Sequence, residues 1–80
     1  MVTIKIYGPG CANCRKLEEV ARAAVALAKV EAEIVKVTDL QEIIAGGVLK
    51  TPGLMINGKL VSSGRIPPPA TVAEWIQAAP

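Results

Sequence analysis

A chain of 80 residues with a formal net charge of +2, two cysteines and no histidine is bounded before any motif is read. At this length roughly 60–65% of the unfolded surface is buried, so one modest domain over residues 1–80 is expected, without room for a large cofactor pocket. The small, scattered positive charge offers no footprint for nucleic acid, and no apolar run approaches the ~20 residues of a membrane span.

Half of the residues are apolar (51%), yet there is one Tyr, one Trp and no Phe, so the core must be built from Ile, Val, Leu and Ala. Val2 to Tyr7 alternates and is rich in β-branched residues, which predicts a strand rather than the apolar segment of a signal peptide. The chain is therefore expected in the cytoplasm, where a Cys-x-x-Cys is catalytic or metal-binding more often than structural. Gly8-Pro9-Gly10 breaks the strand. A helix is predicted from about Cys11 to Lys29, with Leu17, Val20, Ala21, Ala24, Leu27 and Ala28 as its buried stripe. Glu31 to Val37 reads as a second strand whose charged positions suit a sheet edge. Two strands joined by a helix form a parallel, right-handed βαβ unit.

Asp39-Leu40-Gln41-Glu42 has the form of a capping box, so a short helix follows to about Ala45, with Leu40, Ile43 and Ile44 as its apolar side and Gly46-Gly47 as its stop. Asn57-Gly58 between Leu54-Met55-Ile56 and Lys59 to Ser63 predicts a hairpin with a type I′ turn. After Pro67-Pro68-Pro69, a last helix is expected to bury Val72, Ala73, Trp75, Ile76 and Ala79, with Pro69 as a first helical residue. The order is βαβαββα, an α/β fold with a four-stranded mixed sheet and helices on both faces.

The chemistry sits in Gly10-Cys11-Ala12-Asn13-Cys14, where the first strand hands over to the helix. A cysteine in a first helical turn faces unpaired backbone N–H groups and the positive end of the dipole, which favour its thiolate. Cys14, one turn later on the same face, is within reach of a mixed disulfide formed on Cys11. Asn13 either bonds locally or tunes Cys11. Lys5 either reaches solvent along its aliphatic stem or brings its ammonium to the dithiol and lowers a thiol pKa.

Four pieces of the chain together resemble the thioredoxin fold, and among its members the small glutaredoxin-like thioredoxins of archaea and some bacteria. They are Gly8-Pro9-Gly10-Cys11-Ala12-Asn13-Cys14, Lys36-Val37-Thr38-Asp39, Thr51-Pro52 with Asn57-Gly58, and Val61 to Pro67. The resemblance implies that Pro52 follows a cis peptide bond and faces the dithiol. It also implies that the Thr51 backbone pairs with an extended substrate segment and that Gly64 leaves room for that segment. Gly10 and Ala12-Asn13 stand where typical thioredoxins have Trp and Gly-Pro, and Lys5 stands where they have a buried Asp.

The expected activity is a protein disulfide oxidoreductase with Cys11 as nucleophile and Cys14 as resolving cysteine. It would act as a monomer on disulfide-bonded proteins and be recharged by a thioredoxin-reductase-like donor. No metal or organic cofactor is required. The alternatives are a Cu(I) carrier, since thiolates select soft metals, and a non-catalytic redox-sensing module on the same pair. Two thiolates alone do not close a tetrahedral zinc site.

Overall fold

The first strand, β1 (Val2–Tyr7), lies inside the sheet, with Ile4, Ile6 and Tyr7 buried. In the computed structural model, which describes residues 1–10 and 12–79, it pairs on one side with β2 (Ala32–Val37), parallel, Val2 opposite Ala32 and Tyr7 opposite Val37. On the other side it pairs antiparallel with β3 (Gly53–Ile56), Ile4 opposite Ile56 and Tyr7 opposite Gly53. β4 (Lys59–Ser63) completes the order β2-β1-β3-β4. The helices are α1 (Ala12–Ala28), α2 (Leu40–Ala45) and α3 (Pro69–Ala78), so the element order is βαβαββα, as expected. The second strand begins one residue later than Glu31, although the Glu31 carbonyl still accepts from the Val2 amide at 3.0 Å.

Period-two alternation divides β1 between two cores. Ile4 and Ile6, with Leu54 and Ile56 of β3, pack against Leu17, Ala21 and Ala24 of α1 and Val72 and Ile76 of α3. The alanines let α1 approach the sheet closely. On the opposite face Tyr7 packs with Ile43 of α2 and with Val48. The Tyr7 hydroxyl meets the Met55 sulfur at 3.5 Å.

Several expectations are corrected. Leu27 is 58% exposed. It falls roughly a quarter of a turn from the centre of the Leu17–Ala21–Ala24–Ala28 stripe, and Val25 on the other flank packs inward instead. Leu40 and Ile44 are 69% and 64% exposed. At one and a half turns α2 rests on the sheet through Ile43, and the i,i+4 pair Leu40/Ile44 shares the face turned to water. Trp75 packs against the core but is only half-buried.

The turns follow their residues. The Asp39 side chain accepts from the amides of Gln41 (2.8 Å) and Glu42 (3.3 Å), capping α2. Asn57 and Gly58 have φ of 48° and 82°, the left-handed pair that a type I′ turn requires. The Asn57 turn is also pinned to β1: its amide donates to the Thr3 carbonyl, and the Thr3 amide donates to its Oδ1, each at 2.8 Å. The β3–β4 register shifts between Leu54 and Met55, an irregularity with no counterpart in the sequence pattern.

Candidate active site

The site forms where β1 ends, α1 begins and the loop before β3 crosses them. Gly8 extends the parallel ladder, donating its amide to the Val37 carbonyl at 2.9 Å. It is buried, and a Cβ placed on it would collide with the Cys14 sulfur and lie 3.8 Å from the Thr51 Cβ. Cys14 and Thr51 therefore flank the same bare stretch of backbone. Gly10 has φ +91°, the turn that redirects the chain into α1.

Cys14 is 6% exposed and disulfide-bonded. Cys11, and with it the expectation that it occupies the first helical turn, lies outside the described residues. Asn13 is exposed on α1. Lys5 is half-buried on β1, between Ile4 and Ile6, so strand alternation turns it toward the α2 face and away from α1.

The Thr51–Pro52 peptide is cis, with Pro52 buried and Thr51 exposed. Two contacts from the end of β4 hold this loop. The Gly64 amide donates to the Pro52 carbonyl at 2.8 Å. The Ser63 hydroxyl donates to the Lys50 carbonyl at 2.8 Å and accepts from the Lys50 amide at 3.4 Å. Gly64, at φ +74°, lies so close to Lys50 that an added Cβ would sit 2.9 Å from the Lys50 Cβ. Among the described residues the Thr51 amide and carbonyl make no backbone hydrogen bond.

Beside Cys14 opens a cavity of about 400 Å³ lined by Ile6, Gly8, Gly10, Arg15, Glu18, Lys36 and Thr38. Glu18 accepts from Arg22 at 2.8 and 3.2 Å and pairs with Lys36 Nζ at 3.4 Å. The Arg22 hydrogen bond above all holds its carboxyl below the usual carboxylate range; desolvation opposes it, and the Lys36 charge and hydrogen bond add to the lowering. Sequence reading passed over Ser63, Glu18 and Lys36 as site residues. The signal for Lys36 was its place beside the end of β1 once β1 and β2 are taken as parallel. Among the described residues no group of three or more His, Cys, Asp or Glu is arranged to hold a metal.

Residues 2–77 match the family model described as a thioredoxin domain. The chain belongs to the thioredoxin family. It is 42% identical over 66 residues to a protein named thioredoxin from Methanothermobacter thermautotrophicus, covering 82% of this chain and 86% of that one. It is 40% identical over 77 residues to a thioredoxin from Methanocaldococcus jannaschii, covering 96% and 88%. Membership makes the chain a thiol–disulfide oxidoreductase that acts on protein disulfides. In this chain the cavity next to Cys14 takes its charged side chains from α1 and β2, whereas Thr51 and Pro52 lie toward β3 and β4, so the two flanks of the site are chemically different.

Proposed function

We propose that the chain reduces protein disulfides through Cys11 and Cys14, with Cys11 as nucleophile. The Cys11 thiolate attacks a partner disulfide and displaces one partner sulfur, leaving a mixed disulfide on Cys11. Cys14 then attacks the Cys11 sulfur, the reduced partner leaves, and the Cys11–Cys14 disulfide carries the two electrons' worth of oxidation. A thioredoxin-reductase-like donor in the cytoplasm returns it to the dithiol, and the protein works as a monomer. Asn13 tunes Cys11 from within the motif.

The observation that carries this reading is the convergence of Cys14 and Thr51 on Gly8. An extended substrate segment that pairs with the open Thr51 amide and carbonyl is thereby delivered beside the cysteine motif, with Pro52 beneath it and Gly64 keeping the far side free of a side chain.

The test is a redox titration of the metal-free protein against thiol–disulfide buffers, read by alkylation and intact mass. A single two-electron transition more negative than about −180 mV is expected for a reducing protein. Cys14→Ser, mixed with a disulfide-bonded protein, should accumulate a mixed disulfide on Cys11 that the native protein resolves. Failure to form the intramolecular disulfide would reject the reading.

A further inference from the structure

Two cations bracket Gly64. Lys50 lays its side chain along it, with its Cβ, Cγ and Cδ within 4 Å of where a Cβ on Gly64 would stand, and Arg65 follows it in the chain. Both are exposed, and among the described residues neither has a carboxylate partner; the ion pairs there belong to Glu18. A cavity of about 540 Å³ opens beside Arg65, between β4 and α3. Val61, Ile66 and Trp75 give it apolar walls, Ser62 and Arg65 give it polar groups, and no carboxylate lies among its described walls. Trp75, the single tryptophan of the chain, is half-buried, packing on the core while it lines this space.

The irregularity in β4 builds one wall of the cavity. Leu54 stands opposite Ser62 and Met55 opposite Leu60, so Val61 is an extra residue with no partner in β3. Ordinary alternation would send Val61 and Ser62 to opposite faces. The extra residue lets both line the same cavity, while Leu60 packs on the α2 side. β4 is also an edge of the sheet, so no further strand lies beyond it.

We propose that this flank selects client proteins with an acidic segment beside the reacting cysteine. Lys50 and Arg65 pair with its Asp or Glu residues, and the Trp75 cavity takes an apolar side chain further along the same segment. The proposal rests on the reading that an extended client segment pairs with Thr51. Leaving Thr51 toward β4, that segment passes Gly64 first, because the Gly64 amide is bonded to the Pro52 carbonyl. It meets the two cations there and the cavity next. Charge and shape name the occupant: cations without partners at the entrance, and behind them apolar walls without a carboxylate. The α1 flank has no such bias, since Arg15 and Lys36 share their cavity with Glu18.

The test uses the full-length protein, reduced beforehand, and disulfide-bonded peptides that differ only beside one cysteine. The pair Glu-Glu, Gln-Gln or Lys-Lys, followed by Leu or by Ser, is placed on one side of that cysteine and then on the other. On one side only, the Glu peptides should be reduced about five-fold faster than the Lys peptides at low salt, the size expected of exposed ion pairs. The ratio should approach one in 1 M salt, where the Debye length is about 3 Å. Lys50→Glu combined with Arg65→Glu should invert the order. Each ratio is taken within one protein, so a general loss of activity cancels. Lys29→Gln, which removes an exposed cation at the far end of α1, should leave the ratio in place. In Cys14→Ser protein carrying the peptide as a mixed disulfide, Trp75 emission should shift to the blue with Leu and not with Ser. Equal rates for Glu and Lys peptides, a ratio lost as fully in Lys29→Gln or in Arg15→Gln, or emission unmoved by Leu overturns the proposal. Absence of reaction with every peptide is a different result: it counts against the proposed reaction itself, and this selectivity falls with it.

Discussion

At Gly8 a single missing atom decides the approach of two elements. Any larger residue there puts a carbon into the Cys14 sulfur, and the buried backbone, bonded to Val37, cannot retreat. Gly8→Ala is expected to destabilise the fold by about 1–3 kcal/mol, the usual cost of forcing extra volume into a packed place. It should also slow exchange with a model protein disulfide, because Cys14 is the side chain that has to move. Denaturant unfolding of the oxidised protein, beside a stopped-flow exchange assay, checks both. Unchanged values in both would mean that Cys14 shifts aside at no cost. Gly64 has a similar place on the other flank, where a Cβ would press on Lys50.

Between elements, the charged cluster around Glu18 ties α1 to β2. Arg22 reaches back along the helix and Lys36 reaches across from the strand. Because Glu18 is held ionised more firmly in the folded state than in the unfolded chain, its contribution is fully present above the usual carboxylate range. It is lost as pH falls through its lowered folded value. Thermal melts taken between neutral and acid pH should show a shallower loss of stability in Glu18→Gln than in the native protein, most visibly at low salt. Identical slopes would mean the cluster adds nothing to folding, which is common for exposed pairs.

Which elements exist follows from local signals: alternation in Val2–Tyr7, the Asp39 cap, the Asn57-Gly58 turn and Pro69 at a helix start all name their structures in isolation. How far a residue is buried does not. Leu27, Leu40 and Ile44 are apolar at plausible helical spacing, yet each lies beyond the reach of the sheet it was expected to cover. The site divides in the same way. The cysteine motif and Thr51-Pro52 stand out by residue type. The grip of Ser63 on Lys50, and Lys36 beside Cys14, come only from strand pairing across long stretches of chain.

Across the whole molecule, the larger core is shared by the first and last thirds of the chain. α1 and α3 lie side by side on one face, and Val72 and Ile76, 0% and 1% exposed, fill the space between them and the sheet. Ile76→Ala removes most of a buried side chain far from the site and should cost about 2–5 kcal/mol. It should do so equally in oxidised and reduced protein, leaving the disulfide equilibrium where it was. Calorimetry of the two forms measures this, and a stability loss confined to one of them would contradict the separation of core from site.

The position of α3 has a consequence for how the protein comes to be made. Synthesis runs from the cysteine motif toward α3, so both cysteines leave the ribosome well before the helix that closes the core over β1 and β3. Until Val72 and Ile76 arrive, Leu54 and Ile56 lack half of their cover. The nascent chain thus carries its thiols through a period without the fold that governs them, and they meet the surrounding redox pool as ordinary cysteines before they meet a client as trained ones.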